Sequence, residues 1–89
     1  MNVEFDKSFE KSIDRLRDNT LIPKIQRTIQ LLESAKTLSE IPNIKKLSGY
    51  KTYYRVRHGD YRLGLEKIND TTVRLIIVAH RKDMYRLFP

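Results

Sequence analysis

The sequence predicts an α+β domain in which two N-terminal antiparallel helices pack on a small antiparallel β-sheet, in the order β-α-α-β-β-β, with a short C-terminal helix or turn. Three observations carry this. Apolar residues recur at spacings of three and four between Phe9 and Leu32, the period of a helix with one buried stripe. From Tyr53 onward the period drops to two, which is that of a strand. The two-period stretches are separated only by His58-Gly59-Asp60 and Asn69-Asp70-Thr71, turn sequences short enough to make consecutive strands neighbours.

Each element follows in order. Asn2 to Phe5 alternates polar and apolar side chains, so Val3 and Phe5 share one side of a short opening strand. Asp6 is a helix N-cap, and Phe9, Ile13 and Leu16 form the buried stripe of a first helix that is expected to end near Asp18-Asn19. Asn19 or Thr20 caps a second helix, with Pro23 in its first turn, where a missing donor costs nothing. Its stripe is Ile22, Ile25, Ile29 and Leu32. Residues 36 to 49 mix Pro42 and Gly49 with spaced Leu and Ile, and read as an ordered connector. Three strands then form a meander, Tyr53 to His58, Tyr61 to about Ile68, and Val73 to His80. The run Leu75 to Ala79 in the last strand is apolar on both faces, as in a strand central to its sheet.

A chain of 89 residues has room for a single domain, residues 1 to 89. It has no cysteine, so neither a disulfide framework nor a thiolate metal site is available, which suits a reducing cytoplasm. No stretch has the apolar length of a signal peptide or membrane span. A cytoplasmic protein without a membrane partner is expected.

Charge is distributed unevenly. Residues 1 to 44 are neutral, with seven basic and seven acidic side chains, whereas residues 45 to 89 carry eleven against four and hold all five tyrosines. The whole net charge of +7 therefore lies in the second half. Basic and aromatic side chains together match a nucleic-acid partner, since cations neutralise phosphates and rings stack on bases; a merely solvated basic surface has the same composition.

Alternation gives Tyr53, Arg55 and Arg57 one strand face and Tyr54 and Val56 the other, and it turns Arg62 and Gly64 away from Leu63 and Leu65. Arg55, Arg57 and Arg62 thus share a surface, which like-charge repulsion disfavours unless an anion meets them; otherwise each snorkels at a sheet rim. Gly64 on that face leaves room for a ligand backbone. Arg81 can join the cluster, and His80, of a residue type that titrates near neutrality, stands beside it as a proton acceptor or as a polar cap of the strand end. Tyr85 either stacks on a base or packs the C-terminal turn against the helices.

Leu47-Ser48-Gly49-Tyr50, Tyr54-Arg55-Val56-Arg57, Gly59-Asp60-Tyr61-Arg62-Leu63 and His80-Arg81-Lys82-Asp83-Met84-Tyr85, in that order and spacing, resemble the successive blocks of the RelE/ParE toxin superfamily, RelE-like branch. The resemblance implies a toxin of a type II toxin-antitoxin system, monomeric when free and bound by a cognate antitoxin protein. In the RelE branch it further implies an endoribonuclease, an mRNA interferase that inhibits translation by cutting mRNA at the ribosomal A site without cofactor or metal. Carried over by position, the catalytic set is Arg55, Arg57, Arg62, His80, Arg81 and Tyr85, with Lys45, Lys46, Lys51, Lys82 and Arg86 as RNA-binding residues. Arg55 and Arg57 stand where the best-known RelE-type enzyme has lysines. A guanidinium holds phosphate well but does not accept a proton near neutrality, so another group must take the proton of the ribose 2′-hydroxyl: His80 first, then Glu66 or Tyr85. Two alternatives use the same scaffold, a ParE-like inhibitor of DNA gyrase and a non-enzymatic RNA- or ribosome-binding module.

Overall fold

The computed structural model describes residues 1–89. The elements are β1 (Asn2–Phe5), α1 (Lys7–Arg15), α2 (Leu21–Ser34), a 3-10 turn (Leu38–Glu40), β2 (Ile44–Lys46), β3 (Tyr53–His58), β4 (Tyr61–Asn69), β5 (Thr72–His80) and α3 (Arg81–Leu87). The strands form one sheet in the order β1-β5-β4-β3-β2. The β3-β4-β5 meander is antiparallel as expected, but β1 lies parallel to β5, so the sheet is mixed. The period of two reports which side chains share a face and carries no information on the direction of a partner 70 residues away.

Asp6 starts α1 as its N-cap, its carboxylate accepting the Ser8 N–H. The hydrogen bond to Ser8 holds that carboxyl below the usual carboxylate range. α1 ends at Arg15, three residues early, because Leu16 turns to an extended backbone while its side chain still reaches the core. The link to α2 is organised by Asp18, whose carboxylate accepts the N–H and hydroxyl of Thr20; Thr20 itself makes no side-chain cap. On α2 the buried stripe is Leu21, Ile25, Thr28 and Leu32, with Ile29 packed at its margin and the expected Ile22 only half-buried.

Both helices lie on one face of the sheet, over Val56, Leu63, Leu65, Val73, Leu75 and Val78. β4 is the middle strand, and β5 runs between it and β1. The apolar run in β5 has a local cause as well: the register slips between Gly64/Ile77 and Leu65/Leu75, a bulge that accommodates Ile76 as an extra residue. α1 caps this irregularity with two serines one turn apart: Ser8 meets the Ile76 carbonyl, and the Ser12 hydroxyl accepts the Val78 N–H. β2 was not legible as a strand. It is three residues long, pairs antiparallel with β3 and sets Lys45 directly opposite Arg55.

The other face of the sheet is covered in part by α3. Met84 and Phe88 are buried there with Ala79, against Leu47, Tyr53, Ile76 and Ile77. Gly64 sits beneath them: a Cβ at this position would come within 2.9 Å of both Met84 Cε and the Phe88 ring. The space at Gly64 is therefore filled by the protein's own C-terminal helix rather than left for a ligand. Gly64→Ala is expected to lift α3 and destabilise the fold by roughly 1–3 kcal/mol, read as a lower denaturation midpoint and lost protection of the Phe88 amide, which bonds to the Met84 carbonyl. An unchanged midpoint would mean that α3 does not rest on β4.

On the helix side, His58 ends β3 half-buried, its Nε2 3.2 Å from the Thr28 hydroxyl of α2. Burial, aided by Lys24, pushes its pKa below 6.5. The unfolded chain thus binds more protons than the folded one between that depressed value and 6.5. Stability is fully present above this window and is lost as pH falls through it, well before the capping carboxylates of Asp6, Asp18 and Glu40, whose ordinary values are 3.8, 3.8 and 4.5, take protons. Denaturation midpoints across pH should show this upper step in the parent and not in His58→Gln; persistence of the step in the variant would assign it elsewhere.

Candidate functional site

The site is built on the sheet face opposite α1 and α2. β3 supplies Arg55 and Arg57, β4 supplies Arg62 directly opposite Arg57, and β2 supplies Lys45 opposite Arg55. Where β5 passes into α3, Arg81 and Lys82 follow, and the Arg81 N–H donates to the Asp60 carbonyl at 2.7 Å, tying the start of α3 to the β3–β4 turn. That turn is Gly59-Asp60, with Gly59 at φ +60°, a conformation that favours glycine.

Arg62 is the centre of this group. Its Nη1 donates to the Gly59 and Tyr61 carbonyls at 2.7 and 2.9 Å, which pins the guanidinium along the strand end. Burial holds its pKa below the ordinary value, and Arg55, Arg57 and Arg81 push in the same direction, with Asp60 opposing. Since a guanidinium keeps its proton at neutral pH, this shift expresses a repulsion that an anion would relieve. Arg55, Arg57 and Arg62 enter no salt bridge; the one acidic contact of the cluster is Arg81 Nε with Asp60 at 3.7 Å, both largely exposed.

Two clefts open onto these side chains. One of about 410 Å³ is lined by Arg55, Arg62, Arg81, Lys82, Met84 and Tyr85, and one of about 340 Å³ by Asn43, Ile44, Lys45, Arg55, Arg57 and Arg62. Arg55 and Arg62 stand between the two. Tyr85 projects into solvent beside them, 86% exposed, so it does not pack against the helices, and it is Phe88 that anchors the C-terminus.

His80 is not brought to this surface. It lies opposite Tyr61 in the β4–β5 ladder, with the rings edge to face at 5.4 Å, and Tyr61 packs on the helix-side core. Its neighbour Ala79 takes the arginine side. The His80 Nδ1 accepts the Lys82 N–H at 3.2 Å, making the ring the N-cap of α3. With that lone pair engaged, a neutral ring carries its proton on Nε2 and is a donor there, not an acceptor. Glu66 lies between Tyr53 and Arg74 in the ladder and lines neither cleft. Of the basic residues assigned to RNA, Lys45 and Lys82 line the arginine clefts and Lys46 a neighbouring one. Lys51 is exposed in the loop before β3, and Arg86 pairs with Asp83 at 2.9 Å. No three His, Cys, Asp or Glu side chains gather to hold a metal ion, and no helix is long and apolar enough to cross a membrane.

The cap role gives an expectation for His80 independent of any activity. His80→Asn retains a side-chain acceptor and should keep α3 in place, whereas His80→Ala should cost about 0.5–2 kcal/mol and expose the Phe88 amide to exchange. Equal behaviour of the two variants would exclude the cap.

A family profile described as the ParE toxin of type II toxin-antitoxin systems, parDE, matches residues 3–85. The chain is 36% identical over 90 residues, the full length of both proteins, to Toxin RelE3 of Methanocaldococcus jannaschii. Its fold is similar to the toxin in the RelB-RelE antitoxin-toxin complex of Methanococcus jannaschii, with a TM-score of 0.82 and 34% identity over 97% of this chain and 99% of that one. The archaeal RelE-RelB complex of Pyrococcus horikoshii shares the fold at a TM-score of 0.71, covering 93% of this chain and 97% of the other at 22% identity.

Proposed function

The chain belongs to the RelE/ParE family of toxins of type II toxin-antitoxin systems, and we propose that it is an endoribonuclease that cuts mRNA in the ribosomal A site and so stops translation. The observation that carries this reading is the convergence of Arg55, Arg57, Arg62 and Arg81 on two small clefts, three of them without an acidic partner. In the proposed reaction the ribose 2′-oxygen loses its proton and bonds to the adjacent phosphorus. The bond from phosphorus to the 5′-oxygen breaks, and that oxygen takes up a proton, leaving a 2′,3′-cyclic phosphate and a free 5′-hydroxyl.

The substrate supplies its own nucleophile, so the protein's work is to hold the sugar in line and to neutralise charge gathering on the phosphoryl oxygens. Arg55 and Arg62, between the clefts, fit the phosphate itself; Arg57 and Arg81 flank it, and Lys45 on β2 and Lys82 on α3 extend the positive surface into the two clefts. His80 acts through α3, fixing where Arg81 and Tyr85 emerge, and the side chains in the clefts able to exchange a proton are Tyr85, Lys45 and Lys82. We further propose that a RelB-type antitoxin, the partner in the complexes of the relatives, neutralises the toxin with an acidic segment laid on this face.

Description of the matching family profile as ParE favours a second reading, a gyrase inhibitor that binds without cutting. Purified protein added to translating ribosomes separates the two: codon-dependent scission of mRNA is expected, and inhibition of supercoiling with intact mRNA would overturn the assignment. Arg62→Ala and Arg81→Ala should each lower the cleavage rate by roughly 100-fold or more. Arg62→Ala relieves like-charge repulsion but loses two hydrogen bonds to backbone carbonyls, so its denaturation midpoint should stay near that of the parent. His80→Asn should retain most of the rate; loss as complete as in Arg62→Ala would return the imidazole to the chemistry.

A further inference from the structure

A further cleft, larger than either of the two that hold the arginine cluster, lies beside them. It measures about 600 Å³ and lies between the outer edge strand β2, the loop that follows it and the C-terminal helix. Ser48, Tyr50 and Lys45 line it on one side and Met84 and Tyr85 on the other, and it shares Arg55 with both arginine clefts. Half of its lining residues are hydrophobic.

Tyr50 is the unusual member. It is 48% exposed, in the loop between Gly49 and Lys51. It is also held in place: its ring meets Tyr53 edge to face at 5.6 Å, and Tyr53 meets the buried Phe88 the same way at 5.5 Å. An aromatic chain thus ties the loop to the C-terminal anchor and leaves one ring fixed at the cleft wall. Tyr85, across the cleft, is more exposed still.

We propose that this cleft receives a nucleobase of single-stranded RNA, that of a nucleotide flanking the phosphate held at Arg55 and Arg62, with Tyr50 as the stacking wall. The chemistry matches on each count. A base offers a flat apolar face for rings and Met84, polar edges for Ser48, and a backbone phosphate that Arg55 and Lys45 can follow out of the arginine cluster. A wall ring held by Tyr53 and Phe88 loses little freedom on binding, so stacking there is efficient. The inference rests on the RNA reading, deepens it by naming a base subsite, and makes Tyr50 a specificity-determining residue.

The test uses the intact protein and a 2′-O-methyl trinucleotide, which cannot be cut, followed by NMR of labelled tyrosine rings and arginine Nε groups. Binding is expected to move both the Arg62 and the Tyr50 resonances. An abasic residue at the flanking position should abolish the Tyr50 change and spare that at Arg62. Tyr50→Leu should weaken trinucleotide binding by roughly five-fold to a hundred-fold, the range for losing one stacked base, while Tyr50→Phe, which keeps the ring, should bind as the parent does. In the ribosomal cleavage assay Tyr50→Leu should redistribute the cut sites as well. Movement of the arginines without Tyr50 overturns the base subsite and leaves the RNA reading standing. No movement at either group overturns both.

Discussion

The missing side chain at Gly64 is the constraint from which the working face of this protein hangs. β4 is the middle strand, and its Leu63 and Leu65 are buried beneath the helices. On its other side, only a residue without a Cβ leaves space for Met84 and Phe88 to lie against the sheet. That contact fixes α3, and α3 carries Arg81, Lys82 and Tyr85 to the arginines of β3 and β4. The same contact makes Phe88 the anchor of the ring chain that reaches Tyr50. A glycine that looks from sequence like an opening for a ligand instead holds the helix that completes the wall of the arginine cleft.

The basic face is sustained against its own repulsion by the opposite side of the sheet. Like charges placed directly across strands, as in Arg57 with Arg62 and Lys45 with Arg55, cost up to about 1 kcal/mol per pair. Burial of one leucine contributes about 1.5–3 kcal/mol, and Leu63 and Leu65 are fully buried on the reverse face of the strand that carries Arg62. The sheet therefore tolerates its arginines without pairing them internally. Pinning Arg62 to two carbonyls restricts its motion without neutralising it, so the charge stays available to an anion.

Much of this was legible in the sequence, and the divisions fall where the physics changes range. Period and turn chemistry gave both helices, the meander and the shared face of Arg55, Arg57 and Arg62, because each depends on residues a few positions apart. The parallel pairing of β1 with β5, the three-residue β2 and the bulge at Ile76 depend on distant partners. His80 shows the limit most sharply. It is adjacent in sequence to Arg81, yet it follows Ala79 on the alternating strand, and Ala79 takes the arginine side; parity, read without knowing where α3 begins, does not reveal that the ring folds back to cap it. Thr28 and His58, a polar pair between α2 and β3, also lay outside what periodicity could join. Tyr50 did carry a signal, an aromatic side chain between a glycine and a lysine.

Turning His80 away from the arginines changes what kind of catalyst this face can be. A guanidinium array has no member that accepts a proton at neutral pH, so in the proposed reaction it would contribute by stabilising the charged phosphorane and by holding the sugar in line, and nothing to deprotonating the 2′-hydroxyl. Stabilisation of developing charge by fixed donors is commonly the largest single contribution to an enzyme's rate, and proton transfer adds typically 10²–10⁴-fold. In the proposed reaction, then, the bare toxin holds the larger part of its catalytic power in the arginines, and the smaller part falls to Tyr85, Lys45 or Lys82, or to a group that the ribosome or the RNA brings. The same division fits the proposed neutralisation by an acidic antitoxin segment: covering the four arginines would remove phosphate binding and charge stabilisation together, which no blockade of a single proton-transfer group would achieve.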